Sequence, residues 1–222
     1  MFRSSARPIA SVLAALMLST PSSFAFDTPL SDQAVREAYF LGQRHDESVV
    51  HFFEGYARHL PPPKSGPHIS SVVFLTPFAQ FTQFSGSYVG NYSAQQALLD
   101  HRGQEETVKI TVEIYLTASH GALIANPATS RSRSASALIP RLYDFWRDFH
   151  IQVYNGHQLL SPSDSGGHPL YRCGRFGPCR PRGAAIDLEF PAKAFASDSA
   201  TIEVLPPQGE PISVDFDLTS LR

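Results

Sequence analysis

The chain has 222 residues, with 18 Lys and Arg against 20 Asp and Glu and a formal charge of −2. It therefore lacks the basic footprint that general nucleic-acid or anionic-membrane binding requires. A hydrophobic fraction of 42% is enough to fill a core, and 18 prolines with 14 glycines suit many turns and short strands better than a helical bundle.

Residues 1–25 read as a cleavable secretory signal peptide. Arg3 and Arg7 supply the basic start, Ile9 to Leu18 is apolar apart from Ser11, and Pro21 ends any helix there. Ser23 and Ala25 occupy the small-residue positions before a cut at Phe26. An apolar run of about ten residues is too short to cross a bilayer, which needs roughly 20, and no cysteine follows it to carry a lipid. Cleavage leaves 197 residues and, because two arginines and no acid are lost, a formal charge of −4. The expectation is a released periplasmic or secreted protein without a membrane span.

Residues 26–60 form a helical N-terminal segment. Ser31 and Asp32 offer an N-cap, and Val35, Ala38 and Tyr39 recur at helical spacing. Gly42 and the polar run after it break the helix. A second amphipathic stretch then carries Val49, Phe52, Phe53, Tyr56 and Leu60 on one face, until Pro61-Pro62-Pro63 stops it. A Pro-rich connector over 61–68 leads into a β-sandwich-like domain over 69–222. Ile69 to Leu75 is its first strand, ended by Pro77; Phe78 to Tyr92 alternates aromatic and polar residues and reads as a strand or a loop. Ser93 caps a short helix to His101.

From Thr107 the period is two. Val108, Ile110, Val112, Ile114 and Leu116 point one way, as expected of a half-buried antiparallel strand. Residues 118–142 have little pattern and read as a long loop. Phe149, Ile151 and Val153 run into Asn155-Gly156, a hairpin signal, and Leu159 and Leu160 begin the return. Ile186, Leu188 and Phe190 alternate, then Ile202 and Val204, then Ile212, Val214 and Phe216 after a Pro206-Pro207-Gln208-Gly209 turn. Short strands at this spacing predict a mainly β fold with an N-terminal helical segment: an antiparallel β-sandwich of immunoglobulin-like topology, without that fold's usual inter-sheet disulfide.

The only cysteines, Cys173 and Cys179, enclose two glycines and a proline that let the chain fold back, and in an oxidising compartment they are expected to pair. Between Asp164 and Asp187 there is no acid, while Arg172, Arg175, Arg180 and Arg182 flank the cysteines with Tyr171 and Phe176 among them. A clipped loop of arginines and aromatics has the composition of a recognition surface. The bland alternative is a solvated loop whose charges serve solubility.

Other candidates are weaker. His45, His51 and His59 miss the i, i+4 spacing of a helical metal pair, and His150, His157 and His168 have no spacing that demands a metal. Arg44-His45-Asp46-Glu47 reads as a polar helix junction. Asp215 and Asp217, with Asp187 and Glu189, read as the wet face of a sheet. Ser85-Gly86-Ser87-Tyr88-Val89-Gly90 lacks the spacing of a nucleophile elbow, and no phosphate- or dinucleotide-binding glycine pattern occurs. No catalytic residue, metal site or cofactor is assigned.

The stretch LEFPAKAFASDSATIEVLPPQGEPISVDFDLTSLR, from Leu188 to Arg222, resembles the ends of small exported bacterial proteins of an acidobacterial type, whose function is not known. The resemblance extends over the chain from Leu30 onward; it implies a bacterial envelope or secreted setting and brings no catalytic residues. Together these readings favour a non-enzymatic binding or interaction module, with loops 118–142 and 164–183 presenting contacts to an envelope protein or an acidic polymer. Two alternatives stand beside it: a hydrolase of envelope or environmental polymers with a dispersed site, and an accessory subunit docking through residues 31–60.

Overall fold

The computed structural model describes residues 25–88, 90, 92–125, 138–175 and 177–222; residues 1–24, which make up nearly all of the signal segment, lie outside this range. In chain order the elements are α1 (Asp32–Gly42), α2 (Glu47–Glu54), β1 (Ala57–His59), β2 (His68–Leu75), α3 (Pro77–Ser87) and α4 (Ala94–His101). There follow β3 (Thr107–Tyr115), β4 (Leu123–Ala125), β5 (Leu138–Pro140), β6 (His150–Asn155) and β7 (Gln158–Leu160). The chain closes with β8 (Asp164–Arg172), β9 (Arg180–Pro191), β10 (Ser199–Leu205) and β11 (Ile212–Asp217).

Two antiparallel sheets carry the fold. One has the order β1-β2-β3-β9-β8, the other β11-β10-β6-β7. Leaving out the edge strand β1, β2-β3-β9-β8 and β11-β10-β6-β7 reproduce the A-B-E-D and G-F-C-C′ orders of an immunoglobulin-like sandwich. The inner faces meet in one core: Phe74 of β2 lies 5.4 Å from Phe216 of β11 and 5.2 Å, edge-on, from Phe195. On β3, Val108, Ile110, Val112 and Ile114 are buried and alternate with partly exposed residues. A strand that is apolar on one face only takes this register because a one-residue slip would turn all four to solvent.

The helices form a layer of their own. In α1 the Ser31 hydroxyl accepts from the Ala34 amide (3.1 Å), and Val35 and Ala38 are fully buried. Gly42, expected to break the helix, is its last residue and has a second role: a Cβ there would lie 2.2 Å from the Thr82 carbonyl oxygen, and one on Gly86 would lie 2.9 Å from the Gly42 oxygen. Paired glycines let α1 and α3 touch backbone to backbone. In α2 the Asp46 carboxylate caps the Ser48 amide, and its acidity is raised chiefly by the Ser48 hydroxyl.

Three expectations change here. The segment 78–92 is neither strand nor loop over most of its length. Thr76 caps α3 through the Ala79 amide and Pro77 takes its first position, so the proline that ends β2 also starts the helix. The N-terminal helical region stops at Glu54, and Ala57–His59 adds a short edge strand beside β2. The 118–142 segment holds a two-stranded ladder, β4 with β5, around residues 126–137 outside the described range. The Phe52–Tyr56 face turns inward: Tyr56 is buried, and Phe52 touches both the sandwich core and the helical core.

Candidate functional site

The four arginines and both cysteines fall on one hairpin. Strand β8 returns as β9 with Leu170 opposite Gly183, Tyr171 opposite Pro181 and Arg172 opposite Arg180. Cys173 and Cys179 close the next rung as a disulfide, with Cα atoms 4.0 Å apart. Residues 164–172 and 180–183, expected as loop, are therefore ladder. Pairing of β9 with β3 begins only at Gly183, opposite Tyr115, so the rest of the tip stands beyond the sheet. Every described residue from Tyr171 to Arg182 is exposed; Phe176 lies outside the described residues.

The base of the tip is a bulge in which Arg182 is the extra residue. Its carbonyl accepts from the Leu116 amide at 2.9 Å. Only glycine fits next to it, because a Cβ on Gly183 would lie 2.0 Å from the Ile114 oxygen. The bulge aims the Arg182 guanidinium over the Tyr115 ring, 4.2 Å from its centroid. The Tyr115 hydroxyl in turn donates to Glu113 at 3.1 Å.

Arg172 and Arg180 face each other directly across the ladder, an arrangement of like charges that destabilises a hairpin. Among the described residues no carboxylate pairs with Arg172, Arg180 or Arg182. Of the acids nearest in register, Glu113 lies opposite Ala185 and accepts from the Tyr115 hydroxyl, and Asp187 is taken by the Thr111 hydroxyl (2.7 Å), Lys109 (3.4 Å) and His168 (3.5 Å). The tip thus carries Arg172, Arg180 and Arg182 as exposed side chains, and a planar guanidinium is a group that can hold a carboxylate or phosphate by two hydrogen bonds.

No protein-family model matches this chain, and no curated protein matches it.

The remaining sequence candidates separate. Asp187 and Glu189 are on β9 of one sheet, Asp215 and Asp217 on β11 of the other. Asp215 accepts from Thr201 (2.6 Å), and Asp217 caps a turn through the Thr219 amide and hydroxyl, the hydroxyl being the main cause of its lowered pKa. His51 pairs with Glu54 at 3.0 Å, and among the described residues no group of three or more His, Cys, Asp or Glu is placed to hold a metal. The histidine with the most unusual surroundings, His120, belongs to neither expected set. It is buried under Phe145, neither ring nitrogen has a partner among the described residues, and burial lowers its pKa.

Sequence reasoning also missed a cleft of about 650 Å³ between α3, the end of α4 and the start of β3. Its apolar side is Phe81 and Phe84; its polar side includes Gln83, Asp100 and Glu105. Beneath it the Glu106 carboxylate accepts from the Thr28 hydroxyl (2.7 Å), the Leu30 amide (2.6 Å) and His101 Nε2 (3.1 Å), tying the N-terminal segment to β3. The signal was present in the sequence: Phe78, Phe81 and Phe84 recur at three-residue spacing, which is helical, not alternating.

Proposed function

We propose that the protein is an exported, non-enzymatic binding module of the bacterial envelope or exterior, and that it holds an acidic polymer on the tip of the β8–β9 hairpin. The observation that carries this reading is the Arg172–Arg180 pair, opposed across the ladder and locked by the disulfide one rung further out. Such an arrangement costs stability unless an anion neutralises it. Features that break a local rule without compensation in the fold are where function is expected. The exported setting rests on the signal-like residues 1–25, on the disulfide, and on the resemblance of the Leu188–Arg222 tail.

The test is binding to immobilised polygalacturonate, a carboxylated chain, by wild type and by a variant with Arg172, Arg175, Arg180 and Arg182 all changed to Ser. Wild type should bind and release as salt is raised, since exposed charge contacts are screened. The variant should not bind. Equal binding by both proteins would sink the assignment.

A further inference from the structure

A strip of aromatic rings crosses the helical layer and runs into the cleft beside α3. Successive centroids lie 5.2 Å apart from Phe40 to Tyr39, 6.1 Å from Tyr39 to Tyr92, and 4.4 Å from Tyr92 to Tyr88, the last pair stacked at 18°. From Tyr88 the strip continues to Phe84 at 4.7 Å and to Phe81 at 6.3 Å, inside the cleft. Three of these side chains face water: Phe40 is 60% exposed, Phe84 44% and Tyr88 43%. Tyr39, Tyr92 and Phe81 are half-buried beside them, and exposed rings gathered at a cleft are a costly surface for a protein to keep and mark a contact site.

We propose that this strip and cleft form a second ligand site, for an uncharged saccharide chain. A pyranose ring offers a C–H face that lies on an aromatic π-face and a girdle of hydroxyls that bonds to amides and carboxylates. The cleft supplies both, with Phe81 and Phe84 on one side and Gln83, Asp100 and Glu105 around the rim. Charge bears on the choice of saccharide: Glu105 is paired with Lys193 (3.3 Å), Glu106 with His101 (3.1 Å) and Lys109 with Asp187 (3.4 Å), so among the described residues the cleft offers no unbalanced cationic group to an acidic chain. Tyr92, a neutral phenol at ordinary pH, adds no charge of its own, and burial and then the Asp100 carboxylate push its pKa further up, to about 12. An extended peptide is a poorer occupant. The strand bordering the cleft, β3, is already paired on both edges by β2 and β9, so no ladder is open to it. This inference uses no part of the arginine hairpin and stands or falls separately from it.

The experiment is isothermal titration of the full chain with cellohexaose, xylohexaose and hexa-N-acetylchitohexaose, repeated with Phe84→Ala and with Tyr88→Ala. Both side chains are exposed enough for removal to leave the core intact, and an unchanged melting curve checks this. Asp100→Asn tests the rim if either aromatic variant melts early. At least one neutral hexasaccharide should bind, each aromatic variant should weaken it by roughly tenfold, and the four-arginine variant should bind it as wild type does. The proposal is overturned if none of the three sugars binds, or if binding ignores all three substitutions. It is equally overturned if sedimentation finds a dimer that Phe84→Ala and Tyr88→Ala abolish, since the strip would then cover a second copy.

Discussion

Two hairpins of the same sandwich are closed by different physics. In β6–β7 the turn is Gly156-His157, with Asn155 opposite Gln158. Gly156 sits at φ +57° while His157 stays outside the left-handed region, which is the type II′ pattern rather than the one with Asn155 inside the turn. Asn155 is buried and donates to the Ala194 carbonyl (3.1 Å) while accepting from the Ser197 amide (3.0 Å), so the turn is fastened to the molecule by polar groups. In β8–β9 the connection is longer, exposed on every described residue, and fastened by a covalent bond to itself. A turn fastened through the hydrogen bonds of one buried side chain has little choice of residue there. A disulfide frees the residues around it, and here four of them are arginine.

This contrast predicts unequal costs. Asn155→Ala should be the most destabilising change at either hairpin, by about 2 to 3 kcal/mol, because a buried side chain is removed and the two half-buried backbone groups it satisfies lose their partners. Urea denaturation checks this, and polygalacturonate binding by the folded protein should stay at the wild-type level. A loss below about 0.5 kcal/mol would mean that β6–β7 does not depend on those bonds.

Replacing both Cys173 and Cys179 by Ser should cost roughly 2 to 2.5 kcal/mol by the chain-entropy account of so short a loop. Because the tip stands beyond the sheet, the same change should loosen the arginines and weaken polygalacturonate binding while the sandwich stays folded. Should binding survive unchanged in the double serine protein, the bridge would not be what presents the arginines.

A third connection, from β3 to β6, is closed by neither device and buries His120 instead. Burial, and secondarily the nearby Arg141 cation, lowers the pKa of its imidazole from the ordinary 6.5, with Asp148 opposing. The unfolded chain therefore takes up a proton at a higher pH than the folded one. Stability on this account is full above pH 6.5 and declines as the pH falls below it, by at most about 1.4 kcal/mol per pH unit for one proton. Denaturation at pH 7.5 and 5.5 should show a larger loss for wild type than for His120→Phe. Parallel losses in the two proteins would remove His120 from the account.

How much of this was legible follows from what each element needs. Strand β3 was plain because its two faces differ at every step, and α4 because Ser93 announces it. The immunoglobulin-like order was reachable from the number and spacing of strands. Strand β8 was hidden: it holds Gly166, Gly167 and Pro169 and no apolar alternation. Its glycine content has a tertiary cause, since a Cβ on Gly167 would lie 2.5 Å from the Trp146 ring. The clustering of the arginines could be counted, but their opposition could not, because it depends on register. The aromatic strip was least visible, being assembled from α1, α3 and the connection to α4.

The opposed arginines give the smallest effect and the sharpest distinction. Directly opposite like charges cost a hairpin roughly 0.2 to 1 kcal/mol, less when exposed to salt. Arg172→Ser should therefore leave stability unchanged or raise it by a few tenths of a kcal/mol, with the gain fading as salt is added, while polygalacturonate binding weakens. Stability and binding moving in opposite directions is the signature of charges held together for a ligand. If Arg172→Ser lowers both, the pair is supporting the hairpin itself, and the two hairpins differ only in how they are fastened.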